Sequence, residues 1–161
     1  MQCCLRDAAL ALSRVVEKIG GITLNFFIVE QLPTLPPDTY AERCAWAKKE
    51  TLEHWVSERV LKLSCTAEDM VPLAVACAFK GSRGDGVHLW KQAERAQLRA
   101  ELDAAYFHLY GIGREDAEYI LSTFTNTGLN RDEANEAQQT LWDPGSTGQR
   151  ILEAFDKLAG T

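Results

Sequence analysis

The chain has 161 residues, with 17 Lys+Arg against 23 Asp+Glu and a formal net charge of −6; apolar residues make up 46% and charged residues 25%. This is ordinary globular composition, long enough to bury a core without the help of metal or disulfide. It excludes collagen-like and disordered chains, contains no apolar run of the roughly 20 residues that cross a bilayer, and argues against binding nucleic acid through bulk positive charge.

In chain order, the first element reads as a helix. Leu5, Ala8, Ala9, Leu12, Val15, Val16 and Ile19 recur every three or four residues and line one face, and Gly20-Gly21 stops it. Ile22–Val29 (Ile-Thr-Leu-Asn-Phe-Phe-Ile-Val) is short and rich in β-branched and aromatic residues, which predicts a strand. Pro33, Pro36 and Pro37 then forbid regular structure. A helix is expected from Asp38 to about Leu63, opened by a Thr39–Glu42 capping box, with Cys44, Ala47, Leu52, Trp55, Val56, Val60 and Leu63 inward. Thr66 and Asp69 mark a further start that continues to about Phe79, and Gly81–Gly86 reads as a flexible connection.

Lys91–Tyr110 gives the clearest helical pattern, with Leu98, Leu102, Ala105 and Leu109 forming a seam for a neighbouring helix. Gly111-Ile-Gly113 breaks it. Helices are expected over Arg114–Phe124 and Asn130–Leu141, then a turn at Asp143–Ser146, and a last helix capped by Ser146 and Gln149 that carries Ile151, Leu152, Phe155 and Leu158. The fold class is therefore mainly α: a bundle of about six helices with one N-terminal strand that lacks partners in the chain. A lone apolar strand leaves two rows of backbone groups unpaired, so Ile22–Val29 is expected to join a sheet supplied by sequence upstream or by a second chain. The expected division is 1–37, the edge of a sheet domain, and 38–161, a helical domain.

Chemistry is sparse in the pattern. Cys3, Cys4, Cys44, Cys65 and Cys77 are odd in number and match no zinc spacing, so they read as buried free thiols of a reducing, cytoplasmic compartment. His54, His88 and His108 are scattered and read as surface or structural histidines. Gly81–Gly86 lacks the Lys-Ser/Thr of a phosphate loop, and Gly111-Ile-Gly113 lacks the third glycine of a dinucleotide fingerprint. Asp103 falls beside the apolar seam and is expected to need a partner, either a backbone N–H or Arg114. Lys91, Arg95 and Arg99 follow at i, i+4 and i+8 and line one helix face. They are candidates for tracking phosphates, or else form a solvated face balanced by Glu94 and Glu101. No catalytic, cofactor-binding or metal-binding set is read from these residues.

Several strings in order carry a family likeness: Gly20-Gly-Ile-Thr-Leu-Asn-Phe-Phe-Ile-Val-Glu-Gln-Leu-Pro-Thr-Leu-Pro-Pro37, Glu58-Arg-Val-Leu-Lys-Leu63, Thr66-Ala-Glu-Asp-Met70, Leu98-Arg-Ala-Glu-Leu-Asp-Ala-Ala-Tyr-Phe-His-Leu-Tyr-Gly111, and Asp116-Ala-Glu-Tyr-Ile-Leu121 with Phe124. Together they resemble the C-terminal region of large bacterial adenine-N6 DNA methyltransferases of single-chain restriction–modification and phage-defence systems, over about Gly20 to Leu158. The resemblance implies an upstream domain that binds S-adenosylmethionine and bears an Asn-Pro-Pro-Tyr type motif acting on a flipped adenine. That motif does not occur in this sequence. The chain is then expected to be catalytically inert: the closing edge of a target-recognition domain plus a helical tail, partnered by the upstream methyltransferase segment and, through it, DNA. On that reading Lys18, Thr23 and Asn25 join Lys91, Arg95 and Arg99 as DNA-contact candidates. The alternative is a helical protein–protein interaction module that dimerises through Ile22–Val29 or the Leu98–Leu109 seam, or binds another protein.

Overall fold

The computed structural model describes residues 34–122 and 145–160. The expected strand Ile22–Val29, the first helix, Cys3, Cys4, Lys18, Thr23, Asn25 and the expected helix Asn130–Leu141 lie outside them. Among the described residues there are six α-helices: α1 (Pro37–Ala41), α2 (Leu52–Ser64), α3 (Val71–Ala76), α4 (Gln92–Leu109), α5 (Arg114–Ser122) and α6 (Thr147–Ala159), with a single 3-10 turn at Glu68–Met70 before α3. The mainly helical class holds for these residues.

One correction concerns the expected helix from Asp38 to Leu63. It is two helices, α1 and α2, parted by a loop that backbone pairing closes. Cys44 N–H donates to the Glu50 carbonyl at 3.0 Å and Leu52 N–H to the Glu42 carbonyl at 2.9 Å, with an antiparallel bridge between Arg43 and Thr51. Local helix preference of the Ala- and Lys-rich sequence here yields to tertiary packing, a common outcome for a weak preference. Folding back lets Cys44 bury completely and sets Trp46 edge-on to Trp55, ring centres 5.4 Å apart. Thr51 supplies the helix start instead of Thr39: its hydroxyl accepts from His54 N–H, whereas Glu42 ends α1. Val60, expected inward, is exposed.

The long helix α4 organises the rest. One side, with Leu102, Ala105 and Leu109 of the expected seam, packs on Leu52, Trp55 and Val56 of α2. The other presents Ala100 and Ala104, one turn apart and almost fully buried, to Ile151, Ala154 and Phe155 of α6. Small side chains on both helices let the backbones approach closely and leave Phe155 to fill the remaining space. Arg59 fastens α2 to α4: its Nε donates to Glu101 at 2.9 Å, an Nη donates to the Trp55 carbonyl at 3.0 Å, and its guanidinium lies 3.6 Å from the centre of the Trp55 ring.

The ends of these helices are set by local chemistry. Gly111, at φ 66°, follows Tyr110, which caps the end of α4. Its N–H donates to the His108 carbonyl and that of Ile112 to the Phe107 carbonyl, the paired bonds of a left-handed helix stop. Phe107 and Ile112 pack together beside Ala117 and Leu152, which turns α5 back toward α6. Arg114 then spans the two, its Nε 2.9 Å from Asp156 and an Nη 2.8 Å from Glu118. At the start of α6 the Ser146 hydroxyl accepts from Gln149 N–H at 3.2 Å, and the Gln149 side chain accepts from Gly145 N–H at 2.9 Å. That is the expected Ser146–Gln149 cap.

Between α2 and α4 lies a small separate core of Leu61, Cys65 and Ala74, with Met70 and Phe79 against it. Gly81–Gly86 is not an open connection. Gly86 N–H donates to the Lys80 carbonyl, Arg83 N–H to the Val87 carbonyl, and Leu89 N–H to the Ser82 hydroxyl. Gly81, at φ 65°, has no room for a Cβ, which would stand 2.3 Å from the Val87 carbonyl oxygen. No helix of the described residues is long and apolar enough to cross a membrane.

Candidate functional site

The three basic residues at i, i+4 and i+8 on α4 prove unequal. Arg95 is drawn inward. Its Nη1 donates to the Leu63 carbonyl at the end of α2 at 2.7 Å, and its guanidinium lies 3.7 Å from the centre of the Trp90 ring. Burial, and then the nearby Arg99, make its charged form less favourable than usual. Lys91 is 65% exposed at its side chain and stands 3.9 Å from Glu94. Arg99 is exposed, and among the described residues it makes no ion pair or hydrogen bond. The sequence pattern therefore locates a basic face but not its division: one member is a structural anchor between two outward cations.

The feature that sequence reasoning passed over is Trp90. It is 61% exposed, immediately before Lys91, with Arg95 beneath it and exposed Leu89 beside it. The signal was available: a tryptophan next to a helix start, five residues before an arginine on a basic stripe. The segment beneath it is firmly held. His88 is buried, its backbone N–H donates to the Cys65 carbonyl at 2.7 Å, and its Nε2 is 3.1 Å from the Glu94 carboxylate. Glu94 thereby faces His88 as well as Lys91, and Asp85 pairs with Arg83 at 2.8 Å.

The other groups with chemical potential hold helices together. His108 stacks on Phe155 with ring centres 3.9 Å apart and donates from Nε2 to the Phe155 carbonyl at 2.9 Å. His54, mostly exposed, pairs with Glu50 one turn away at 2.6 Å. Cys44 and Cys65 are buried thiols, and burial pushes both to higher pKa, away from reactivity. Cys77 departs from the expectation of buried thiols, because it is exposed.

Asp103 corrects one expectation: Arg114 is not its partner but serves Asp156 and Glu118 instead. Burial by the protein packed around Asp103 raises its pKa to about 6, with Arg99 pulling the other way. The Tyr40 and Tyr106 hydroxyls lie 3.2 Å apart, and burial followed by this contact raises the pKa of Tyr106. Among the described residues no cluster of three or more His, Cys, Asp or Glu side chains is arranged to hold a metal ion. Comparison of the chain with family models, curated proteins and solved structures gives no match.

Proposed function

We propose that this chain is the non-catalytic C-terminal specificity and scaffold part of a DNA adenine-N6 methyltransferase from a restriction–modification or phage-defence system. Its helical body braces a recognition segment that begins upstream. S-adenosylmethionine and the methyl-transfer chemistry belong to the parent's preceding domain, and no residue here is assigned to them.

The observation that carries the reading is where the family-like strings fall. Glu58–Leu63 and Leu98–Gly111 lie 35 or more residues apart in sequence, yet Arg59 of the first grips Glu101 of the second at 2.9 Å, with both side chains mostly buried. Asp116–Leu121 supplies Ala117, packed through Phe107 of the Leu98–Gly111 string. These three strings thus meet in one packed region, which supports reading them as parts of a shared scaffold. The commitment of Arg59, Arg95, Arg114, His88 and His108 to structural contacts also suits bracing. The deciding experiment is to sequence the DNA upstream of the Met1 codon and to assay adenine methylation with this chain and that upstream product together. An adenine methyltransferase reading frame, active only when this chain accompanies it, is the expected result. An upstream region that encodes none overturns the reading.

A second reading, a helical module that docks on a protein, is favoured by one observation: Val75, Leu89 and Trp90 present large apolar side chains to solvent. A dimer in light scattering would favour it.

A further inference from the structure

We infer that Trp90, seated on Arg95 and flanked by Lys91 and Arg99, is a stacking platform for an unpaired base of single-stranded DNA. This deepens the reading above, on which it rests for its choice of DNA over RNA.

Three observations lead there. The first is exposure with rigidity. Trp90 is 61% exposed, yet its ring is held by the Arg95 guanidinium at 3.7 Å, and Arg95 is itself pinned to the Leu63 carbonyl at 2.7 Å. A large aromatic in water that is already immobilised loses little freedom when a ligand arrives. The support is built from below: His88 is locked to Cys65 and Glu94, and the glycine loop is closed by its own backbone bonds.

The second is charge. Residues 80–99 hold five basic side chains (Lys80, Arg83, Lys91, Arg95, Arg99) against two acidic ones (Asp85, Glu94) in a chain whose net charge is −6. Both acids are engaged, Asp85 with Arg83 and Glu94 with His88 and Lys91. Arg99 makes no ion pair within 4 Å among the described residues, its one carboxylate neighbour being Asp103 four residues on, and Arg95 is bonded to a neutral carbonyl. The surplus is positive and local, which suits a phosphate backbone rather than an apolar partner.

The third is combination. Arg95 takes one face of the indole and leaves exposed ring area for a second planar group. Any base has a π face for it, whereas the bases of a duplex already stack on each other. Lys91 and Arg99 lie on either side of Arg95 along the helix, one turn away in each direction, where neighbouring phosphates would pass.

The test uses the full chain and fluorescence anisotropy of labelled oligothymidylate, oligouridylate and a duplex, across a salt series. Oligothymidylate is expected to bind more tightly than the duplex, and more weakly as salt rises. Trp90→Leu, which keeps apolar bulk but has no π face, is expected to lose roughly ten-fold or more in affinity, while Trp90→Phe retains most of it. Lys91→Ala and Arg99→Ala each flatten the salt dependence by about one phosphate contact. Circular dichroism of each variant checks that the helices persist. Because Trp90→Leu and Trp90→Phe are compared with each other, a general loss of stability would lower both and would overturn a stacking role. Equal binding by the two, failure of the parent chain to bind oligothymidylate, or binding to oligouridylate alone likewise overturns the inference. So does a Trp90-dependent dimer that binds no nucleic acid, which would assign the surface to a second copy. None of these results alters the upstream gene or the methylation assay, so the two proposals fail separately.

Discussion

The contact of α4 with α6 and the segment that leads from Cys65 to Trp90 are built on opposite plans. The first is apolar and close: Ala100, Ala104 and Ala154 bring two helices together around Phe155 and Ile151. The second has a core of only Leu61, Cys65 and Ala74 with two flanking side chains, and relies on directed bonds and a glycine at positive φ. Packing of the first kind supplies stability and hides its side chains. The second kind spends backbone hydrogen bonds to hold a tryptophan in water, which costs apolar burial and makes sense where the surface is used.

The contrast is open to attack at several points. The largest effect is expected at Phe155, where Phe155→Ala empties the α4–α6 seam and removes the stack on His108. A loss of roughly 3–5 kcal/mol in denaturant unfolding is expected, and a loss below 1 would show that this seam is not the main core. Next is Gly81→Ala, whose Cβ would meet the Val87 carbonyl and whose φ is left-handed. A cost of about 2 kcal/mol or more is expected. The change should fall mainly on amide exchange of residues 80–90, and uniform loss across α4 and α6 would erase the distinction between the regions. Arg59→Met and Glu101→Gln, measured singly and together, should each cost about 2 kcal/mol with a coupling of the same order, because each single change strands a mostly buried charge. Additive effects would refute the tie between α2 and α4. Ser146→Ala removes the cap of α6 and should cost about 1 kcal/mol.

The smallest effect is a pH dependence. Asp103 has its pKa raised from the ordinary 3.8 to about 6. The folded chain therefore holds this proton more tightly than the unfolded one. The associated stability is present below about 3.8 and is lost as pH rises through about 6. Comparing Asp103→Asn with the parent chain between those limits should remove that part of the slope, with the magnitude tempered by the carboxyl's exposure to water.

Much of this was legible in the residues. The period of Leu98, Leu102, Ala105 and Leu109, the stop at Gly111 and the cap at Ser146 all follow from local chemistry, because neighbours within one turn decide them. The division of Asp38–Leu63 was not legible: its loop exists because Cys44 and Trp46 find a place on α2, a contact no local pattern encodes. The same holds for the basic stripe. Spacing puts Lys91, Arg95 and Arg99 on one face, but only the end of α2 and the ring of Trp90 decide that Arg95 turns inward. The partner of Asp103 was misjudged because position along the chain does not say which cation faces a carboxylate: Arg99 acts on it, not Arg114.

The indoles of Trp46 and Trp55 meet at 76° with their centres 5.4 Å apart. Indole transition dipoles at that separation couple, so a circular-dichroism couplet is expected from the pair, and it should depend on the loop between α1 and α2 lying in place. Displacement of that loop would then be read optically, without a label, as loss of the couplet.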